Sequence, residues 1–141
     1  IDQLVADVMT HSVRTITRET TASTVARLFA EDDIGSALVV DSETDDLVGI
    51  VTESDIMHQV AIDADISTGS VNSFMTTPVI TIPSTESIHT AATLMKDHSI
   101  RRLPVVDDGT LVGVLTTTNL THYLPHLRAN ILRERDELSG Q

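Results

Sequence analysis

Hydrophobic positions recur in the same order twice along the chain. A shift of 66 residues lays Ile16 over Ile82 and Ile34 over Ile100. After a two-residue deletion in a polar turn, the alignment continues. The matching segments are 5–16 and 71–82, 38–41 and 104–107, and 47–52 and 111–116. Two copies are too few for a solenoid, so we expect the copies to pack on each other.

Each copy predicts the order strand, helix, strand, turn, strand, helix. The first strands are predicted at Val13–Thr17 and Val79–Ile82, and the first helices carry apolar stripes with i, i+3, i+4, i+7 spacing. The stripes consist of Ala22, Val25, Ala26 and Phe29 in one copy and Ile88, Ala91, Ala92 and Met95 in the other. Thr21 and Ser87 precede the stripes and are the predicted N-caps.

Two hairpins and two further helices complete the pattern. The predicted hairpin strands are 37–40 with 47–51 and 103–106 with 111–115, and a helix follows each of Thr52 and Thr116. Their apolar runs lack strict alternation, which indicates sheets covered on both faces, by helices and by the partner sheet. A half of roughly 65 residues is marginal alone. We therefore expect an α+β fold of two pseudosymmetric β-α-β-β-α repeats packed sheet to sheet.

The expected divisions are a first repeat at 1–62, a linker at 63–70, a second repeat at 71–124 and a C-terminal helical extension at 125–141. Leu124, Leu127 and Ile131 form an apolar stripe beyond the second repeat. Either a second copy of the chain or the domain itself could cover that stripe.

Charge and composition exclude several classes of function. The chain carries 21 acidic against 9 basic side chains, a formal charge of −12, which disfavours nucleic acid and anionic lipid as partners. No uncharged apolar stretch reaches membrane-spanning length, and zero cysteines exclude disulfides and agree with a cytoplasmic location. The acidic composition, with Lys96 as the single lysine, is typical of proteins that work in concentrated salt.

The segments Gly49–Asp55 and Gly113–Asn119 carry the most informative chemistry. In each, an apolar strand ends at a threonine, a helix starts, and Asp55 or Asn119 follows three positions later. Such a side chain could hydrogen-bond the hydroxyls of a ribose, or it could complete a capping box for its own helix. Asn119 favours ribose binding, since asparagine lies outside the usual forms of the box. The two glycines indicate strand bulges or close approach to a ligand.

Arg101 and Arg102 precede a strand where the first copy has Gly35 and Ser36. Their guanidinium groups could bind phosphate, or they could pair with surface carboxylates such as Asp97. Arg14 is a weaker candidate, and we expect it to be solvated.

Catalytic and metal chemistry find little support. No nucleophile is paired with a base, so we do not expect an enzyme. His122 and His126 have i, i+4 spacing, but Pro125 interrupts the helix between them, so no metal site is expected.

In their order, these segments resemble the tandem CBS-domain pair, or Bateman module. The matching motifs are Met9-Thr-His-Ser-Val, Met75-Thr-Thr-Pro-Val, Ile100-Arg-Arg-Leu-Pro-Val-Val-Asp107 and the two glycine-to-Asp/Asn segments. The resemblance covers the chain from about Val5 to Leu124, and it favours a homodimer of such pairs, which would cover the stripe of Leu124, Leu127 and Ile131. It implies two clefts between the repeats that take AMP, ADP, ATP or S-adenosylmethionine, with no other cofactor.

The resemblance also implies how the two clefts are composed. One cleft would join Thr52 and Asp55 to Pro78, Val79 and Ile80. The other would join Thr116 and Asn119 to Ser12, Val13 and Arg14, with Arg101 and Arg102 near the phosphates. Asn119 stands where the family has aspartate, so we expect unequal affinities, with the Asp55 site stronger for ribose.

The function implied is a non-catalytic adenine-nucleotide sensor that transmits metabolite status to an effector protein not identified by the sequence. A ligand-free structural or dimerisation module and an S-adenosylmethionine sensor are the alternatives.

Overall fold

The computed structural model describes residues 3–121 and 123, which fall into two units. The first unit is Val13–Val79, and the second unit is Ile1–Ser12 with Ile80–Gln141. In chain order the elements are α1 (Val5–Val8), β1 (Thr15–Thr17), α2 (Ala22–Asp32), β2 (Ser36–Val40), β3 (Leu47–Thr52), α3 (Glu53–Ala61), a 3₁₀ turn (Val71–Ser73), α4 (Ile88–His98), β4 (Arg102–Asp107), β5 (Thr110–Thr116) and α5 (Thr117–Leu120).

The predicted α+β fold with two repeats is confirmed. In the first unit, β1 pairs in parallel with β2, and β2 pairs antiparallel with β3. The stripe of α2 packs on this sheet, and the Thr21 hydroxyl accepts a hydrogen bond from the backbone N–H of Thr24 at 3.2 Å. The core of the unit is made of Ala22, Val25, Phe29, Ala37, Val39, Val51, Ile56 and Val71.

The second unit repeats this arrangement with a shorter sheet. Strands β4 and β5 form an antiparallel hairpin, and α4 begins at the predicted cap, where Ser87 Oγ accepts from the Thr90 N–H at 3.2 Å. Its core is made of Val5, Ile82, Ile88, Ala91, Met95, Leu103, Val105, Leu115 and Leu120.

The predicted strand at Val79–Ile82 is reduced to a single parallel bridge between Ile82 and Val105. Proline explains the difference from the first unit. There, the Leu38 N–H donates to the Arg14 carbonyl at 3.0 Å, and the residue at the position of Leu38 in the second copy is Pro104. Proline has no N–H, so this rung of the ladder is lost.

The unit boundaries do not follow the repeat boundaries, because each unit includes a segment from the other repeat. Val5 is fully buried in the second unit, and its N–H donates to the Glu86 carbonyl at 2.8 Å. The Thr10 N–H donates to the Val114 carbonyl at 2.9 Å, next to β5. The chain thus passes from the second unit to the first between Ser12 and Val13.

The segment that follows α3 belongs wholly to the first unit. The N–H of Ala22 donates to the Gly69 carbonyl at 2.9 Å, which ties this segment to the start of α2. Asp65 accepts hydrogen bonds from the hydroxyls of Ser67 and Thr68. These bonds lower the pKa of the Asp65 carboxyl, and the bond from Ser67 contributes most. The predicted linker at 63–70 is therefore held by its own turn and by α2.

Gly49 and Gly113 each lie beside a strand bulge and in contact with a segment of the same unit that crosses the strand. We call Met75-Thr76, at Gly49, and Met9-Thr10, at Gly113, the crossing segments. The register shifts between Val39 and Val40 opposite Gly49, and a corresponding shift lies opposite Gly113. A Cβ on Gly49 would lie 2.5 Å from Met75 Sδ. The close approach predicted at these glycines is made by the chain itself, not by a ligand.

The stripe Leu124, Leu127 and Ile131, the extension 125–141 and the pair His122 and His126 lie outside the described residues.

The two glycines should respond differently to alanine. A Cβ at Gly113 would lie 2.8 Å from both Met9 Sδ and the Thr10 carbonyl oxygen, whereas at Gly49 the backbone oxygen of Thr76 is 3.2 Å away. We expect Gly113→Ala to cost about 1–3 kcal/mol of unfolding free energy, since a backbone atom cannot rotate away.

Urea unfolding of each glycine variant, with and without replacement of the neighbouring methionine by alanine, checks this difference. Met75→Ala should reduce the cost of Gly49→Ala, whereas Met9→Ala should leave the cost of Gly113→Ala nearly unchanged. Equal relief at both glycines would contradict the assignment of the clash to the Thr10 backbone.

Candidate ligand-binding sites

The first candidate site is the junction where β3 ends at Thr52 and α3 begins. The Thr52 N–H and hydroxyl both donate to Asp55 Oδ2, at 2.8 and 3.1 Å, and the Asp55 N–H donates to Thr52 Oγ1 at 3.4 Å. These bonds form a complete capping box, so the capping interpretation of Asp55 is confirmed. Asp55 is half-buried, and its second oxygen, Oδ1, accepts no hydrogen bond from any described residue.

The second candidate site is the junction between β5 and α5. Asn119 Oδ1 accepts from the Thr116 N–H at 2.9 Å, and the Asn119 N–H donates to Thr116 Oγ1 at 3.1 Å. Asn119 thus completes the same box, and the inference that asparagine argues against capping was wrong. The amide oxygen replaces one carboxylate oxygen as acceptor, and the Nδ2 group remains a donor with no partner in the described part of the chain.

A crossing segment pairs with the strand that leads to each junction. Ile50 and Thr76 exchange two backbone hydrogen bonds at 3.1 and 3.0 Å, which fixes the chain just before Pro78 and Val79 antiparallel to β3. Thr10 and Val114 exchange the corresponding pair at 2.9 and 3.0 Å, which leads to Ser12.

The structure therefore groups part of each predicted site. Pro78 and Val79 belong to the same unit as Thr52 and Asp55, whereas Ile80 is the first residue of the next segment of the second unit. Ser12 belongs to the same unit as Thr116 and Asn119, whereas Val13 and Arg14 belong to the first unit.

Arg101 and Arg102 lie at the second junction. The Thr117 N–H donates to the Arg101 carbonyl at 3.0 Å, and Arg102 lies opposite Thr116 in the β4–β5 ladder. At the first junction, Gly35 and Ser36 occupy the positions that correspond to Arg101 and Arg102.

Arg14 forms an ion pair with Asp32 on α2, with about half of its side chain exposed. It is paired rather than solvated. Because exposed pairs contribute little, this contact does not prevent Arg14 from binding elsewhere.

Sequence reasoning missed the role of Thr10 and Thr76. Their backbones, not their side chains, hold the crossing segments beside the glycine-containing strands. The signal was present, because the dipeptide Met-Thr occurs at both positions of the repeat, each time preceding the predicted ligand residues.

Neither a metal cluster nor a membrane-spanning helix occurs in the part of the chain that the structure describes. No three His, Asp or Glu side chains at 3–121 and 123 come together as a metal site. Within the same residues, no helix has the length and apolarity to cross a bilayer.

Two copies of a helix-hairpin-helix unit, each with a threonine-capped junction and a crossing segment, define a tandem-repeat module. The family model described as "CBS domain" matches residues 5–62 and 71–126. The chain belongs to the CBS-domain family, as a tandem pair. CBS pairs are generally regulatory rather than catalytic modules and typically bind adenosine ligands.

Similar proteins agree with this assignment. An uncharacterized protein of Methanopyrus kandleri is 35% identical over 137 residues, which cover 92% of this chain and 67% of the relative. The CBS domain pair of protein MJ0100, solved in complex with 5′-methylthioadenosine and S-adenosyl-L-methionine, has a TM-score of 0.78 at 28% identity, covering 86% of this chain and 95% of that chain.

A second solved structure holds metal. Hypoxic Response Protein I, solved with two coordinated zinc ions, has a TM-score of 0.76 at 26% identity, covering 87% of this chain and 100% of that chain. The chain spans only part of some relatives, such as 38% of an uncharacterized protein of Methanocaldococcus jannaschii.

The capping role of Asp55 predicts that two substitutions will differ in stability. Asp55→Ala removes the acceptor of the Thr52 N–H and should cost about 0.5–2 kcal/mol of unfolding free energy. Asp55→Asn should cost much less, because Asn119 makes the same cap in the second unit. Urea denaturation of both variants, with Asn119→Ala as the matched control, checks this; equal losses for Asp55→Ala and Asp55→Asn would contradict it.

Proposed function

We propose that the chain is a regulatory module that binds adenine nucleotides, AMP, ADP or ATP, and conveys their level to an effector protein. The proposal rests on the different environments of the two carboxylate oxygens of Asp55. One carboxylate oxygen caps α3, and the other accepts nothing from the described residues while remaining half-buried. Capping and ligand binding are therefore compatible in one side chain.

The residues around the two junctions supply the other contacts. We assign the ribose to Asp55 or Asn119 and the phosphates to Thr52 or Thr116, with Arg101 and Arg102 adding charge at the second junction. We assign the base to residues that follow the crossing segments. These residues are Pro78 and Val79 for one ligand and Ser12 for the other, each in the same unit as its junction.

Regulation follows from where those segments lie in the chain. The backbone changes unit between Val79 and Ile80 and again between Ser12 and Val13. A ligand that holds Pro78 or Ser12 therefore binds next to a point where the chain changes unit. It can shift the module between two states by its differential affinity for them, which a bound effector would detect.

Two alternatives have their own support. The MJ0100 complex favours S-adenosylmethionine as a ligand class. The complete capping boxes favour a structural module that binds nothing.

Titration calorimetry at high salt with AMP, ATP and S-adenosylmethionine separates these functions. We expect binding to two sites of unequal affinity, with Asp55→Asn weakening one of them about tenfold, because a charge-assisted hydrogen bond is lost while the cap persists. Two identical sites, or unchanged affinities in the variant, would contradict the assignment of Asp55. No heat with any ligand would favour the structural module.

We further propose that the module is a homodimer. Met57, Val60 and Ile62 at the end of α3 are more than half exposed, at 70, 53 and 56%, and a second copy would cover them. Sedimentation should show a dimer that Met57→Glu with Val60→Glu dissociates, whereas Ser54→Glu on the same helix should not. A monomeric wild-type chain would contradict the proposal.

A further inference from the structure

The two junctions differ at five corresponding positions, and at four of them the difference is one of formal charge. Each of these four differences makes the second junction more positive than the first. The first junction has Gly35, Ser36, Glu53, Asp55 and Thr77 where the second has Arg101, Arg102, Thr117, Asn119 and His11. By formal count, the first set carries two negative charges and no positive one. The second set carries two positive charges, a neutral imidazole and no carboxylate.

Backbone contacts place these positions beside the junctions. The Gly35 carbonyl accepts from the Glu53 N–H at 3.1 Å, as the Arg101 carbonyl accepts from the Thr117 N–H at 3.0 Å. Ser36 and Arg102 lie opposite the two capping threonines in their hairpins. Thr77 and His11 directly follow the threonines that pair with β3 and β5.

The other arginines of the first unit each contact another side chain of that unit. Arg14 pairs with Asp32, Arg18 pairs with Asp41 at 3.7 Å and bonds Asn72, and Arg27 donates to Thr24 Oγ1 at 3.3 Å. A phosphorylated ligand at the first junction would meet Asp55 without a neighbouring guanidinium at the positions of Gly35 and Ser36. Like charges at a half-buried site repel more strongly than in bulk water.

We infer that the first junction binds adenosyl ligands without phosphate, uncharged or cationic, more tightly than phosphorylated ones, and that the second junction has the opposite preference. This inference rests on the proposed function and assigns a ligand class to each site. Hydrogen-bonding chemistry agrees with it. Asp55 Oδ1 is purely an acceptor and suits the hydroxyl donors of a ribose, whereas Asn119 Nδ2 is a donor and suits hydroxyl or phosphate oxygens.

Calorimetry with adenosine, S-adenosylmethionine, AMP and ATP on the full chain tests the division. At an ionic strength of about 0.15 M we expect adenosine and S-adenosylmethionine to bind the site that Asp55→Asn weakens, with ATP at least about tenfold weaker there. The preference should shrink at about 1 M salt, where the Debye length is only about 3 Å. A merely structural role of Asp55 would not give this salt dependence.

Exchanging residues between the two junctions at the positions of Arg101 and Arg102 gives matched variants. Arg101→Gly with Arg102→Ser copies the first junction into the second and should weaken ATP at least about tenfold while leaving adenosine binding at the Asp55 site unchanged. Gly35→Arg with Ser36→Arg should strengthen ATP binding at the first junction. Each pair installs residues that the other copy already accommodates, and circular dichroism checks that the variants fold.

The outcomes separate this inference from the proposed function. Equal ATP affinity at both sites, or a loss of ATP binding in Asp55→Asn as large as the loss of adenosine, would overturn the division and leave nucleotide binding intact. Failure of the wild-type chain to bind any of the four ligands would overturn both.

Discussion

The crossing of a Met-Thr segment over a glycine of the neighbouring strand is the contact on which each unit depends. Thr76 pairs with Ile50 directly beside Gly49, and Thr10 pairs with Val114 directly beside Gly113. The glycine is required because Met75 Sδ or the Thr10 carbonyl already lies within 3 Å of where a Cβ would be. This contact fixes the segment antiparallel to the strand that ends at the capping threonine, so the packing that closes the unit also holds the strand that leads to the candidate site.

Most secondary structure was predictable because its causes are local. The stripes of α2 and α4 and their caps Thr21 and Ser87 follow from side-chain spacing and from hydroxyls that satisfy the first free N–H groups. The first strand of the second copy was overestimated, because its ladder depends on a distant residue, Pro104. The pattern of apolar positions at 79–82 contains no information about that missing donor.

The repeat pattern does not predict which unit contains each crossing segment. Alignment of the copies places Val5 in the first repeat, yet its side chain completes the core of the second unit. Duplication creates this ambiguity, since a segment that fits one unit fits its twin almost equally well. The capping role of Asn119 was also missed. An amide oxygen accepts the same hydrogen bond as a carboxylate oxygen, and residue statistics do not express that equivalence.

Comparison of the two copies separates what the fold needs from what a ligand would need. The glycine, the capping threonine and the Met-Thr crossing are identical in both, and each has a steric or hydrogen-bonding reason in the structure. The charged positions around the junctions differ, and no backbone hydrogen bond depends on those differences. Gly35 and Arg101 both offer only a carbonyl to the helix that follows. The four differences in formal charge all make the second junction more positive than the first, a common direction that selection for folding alone does not require.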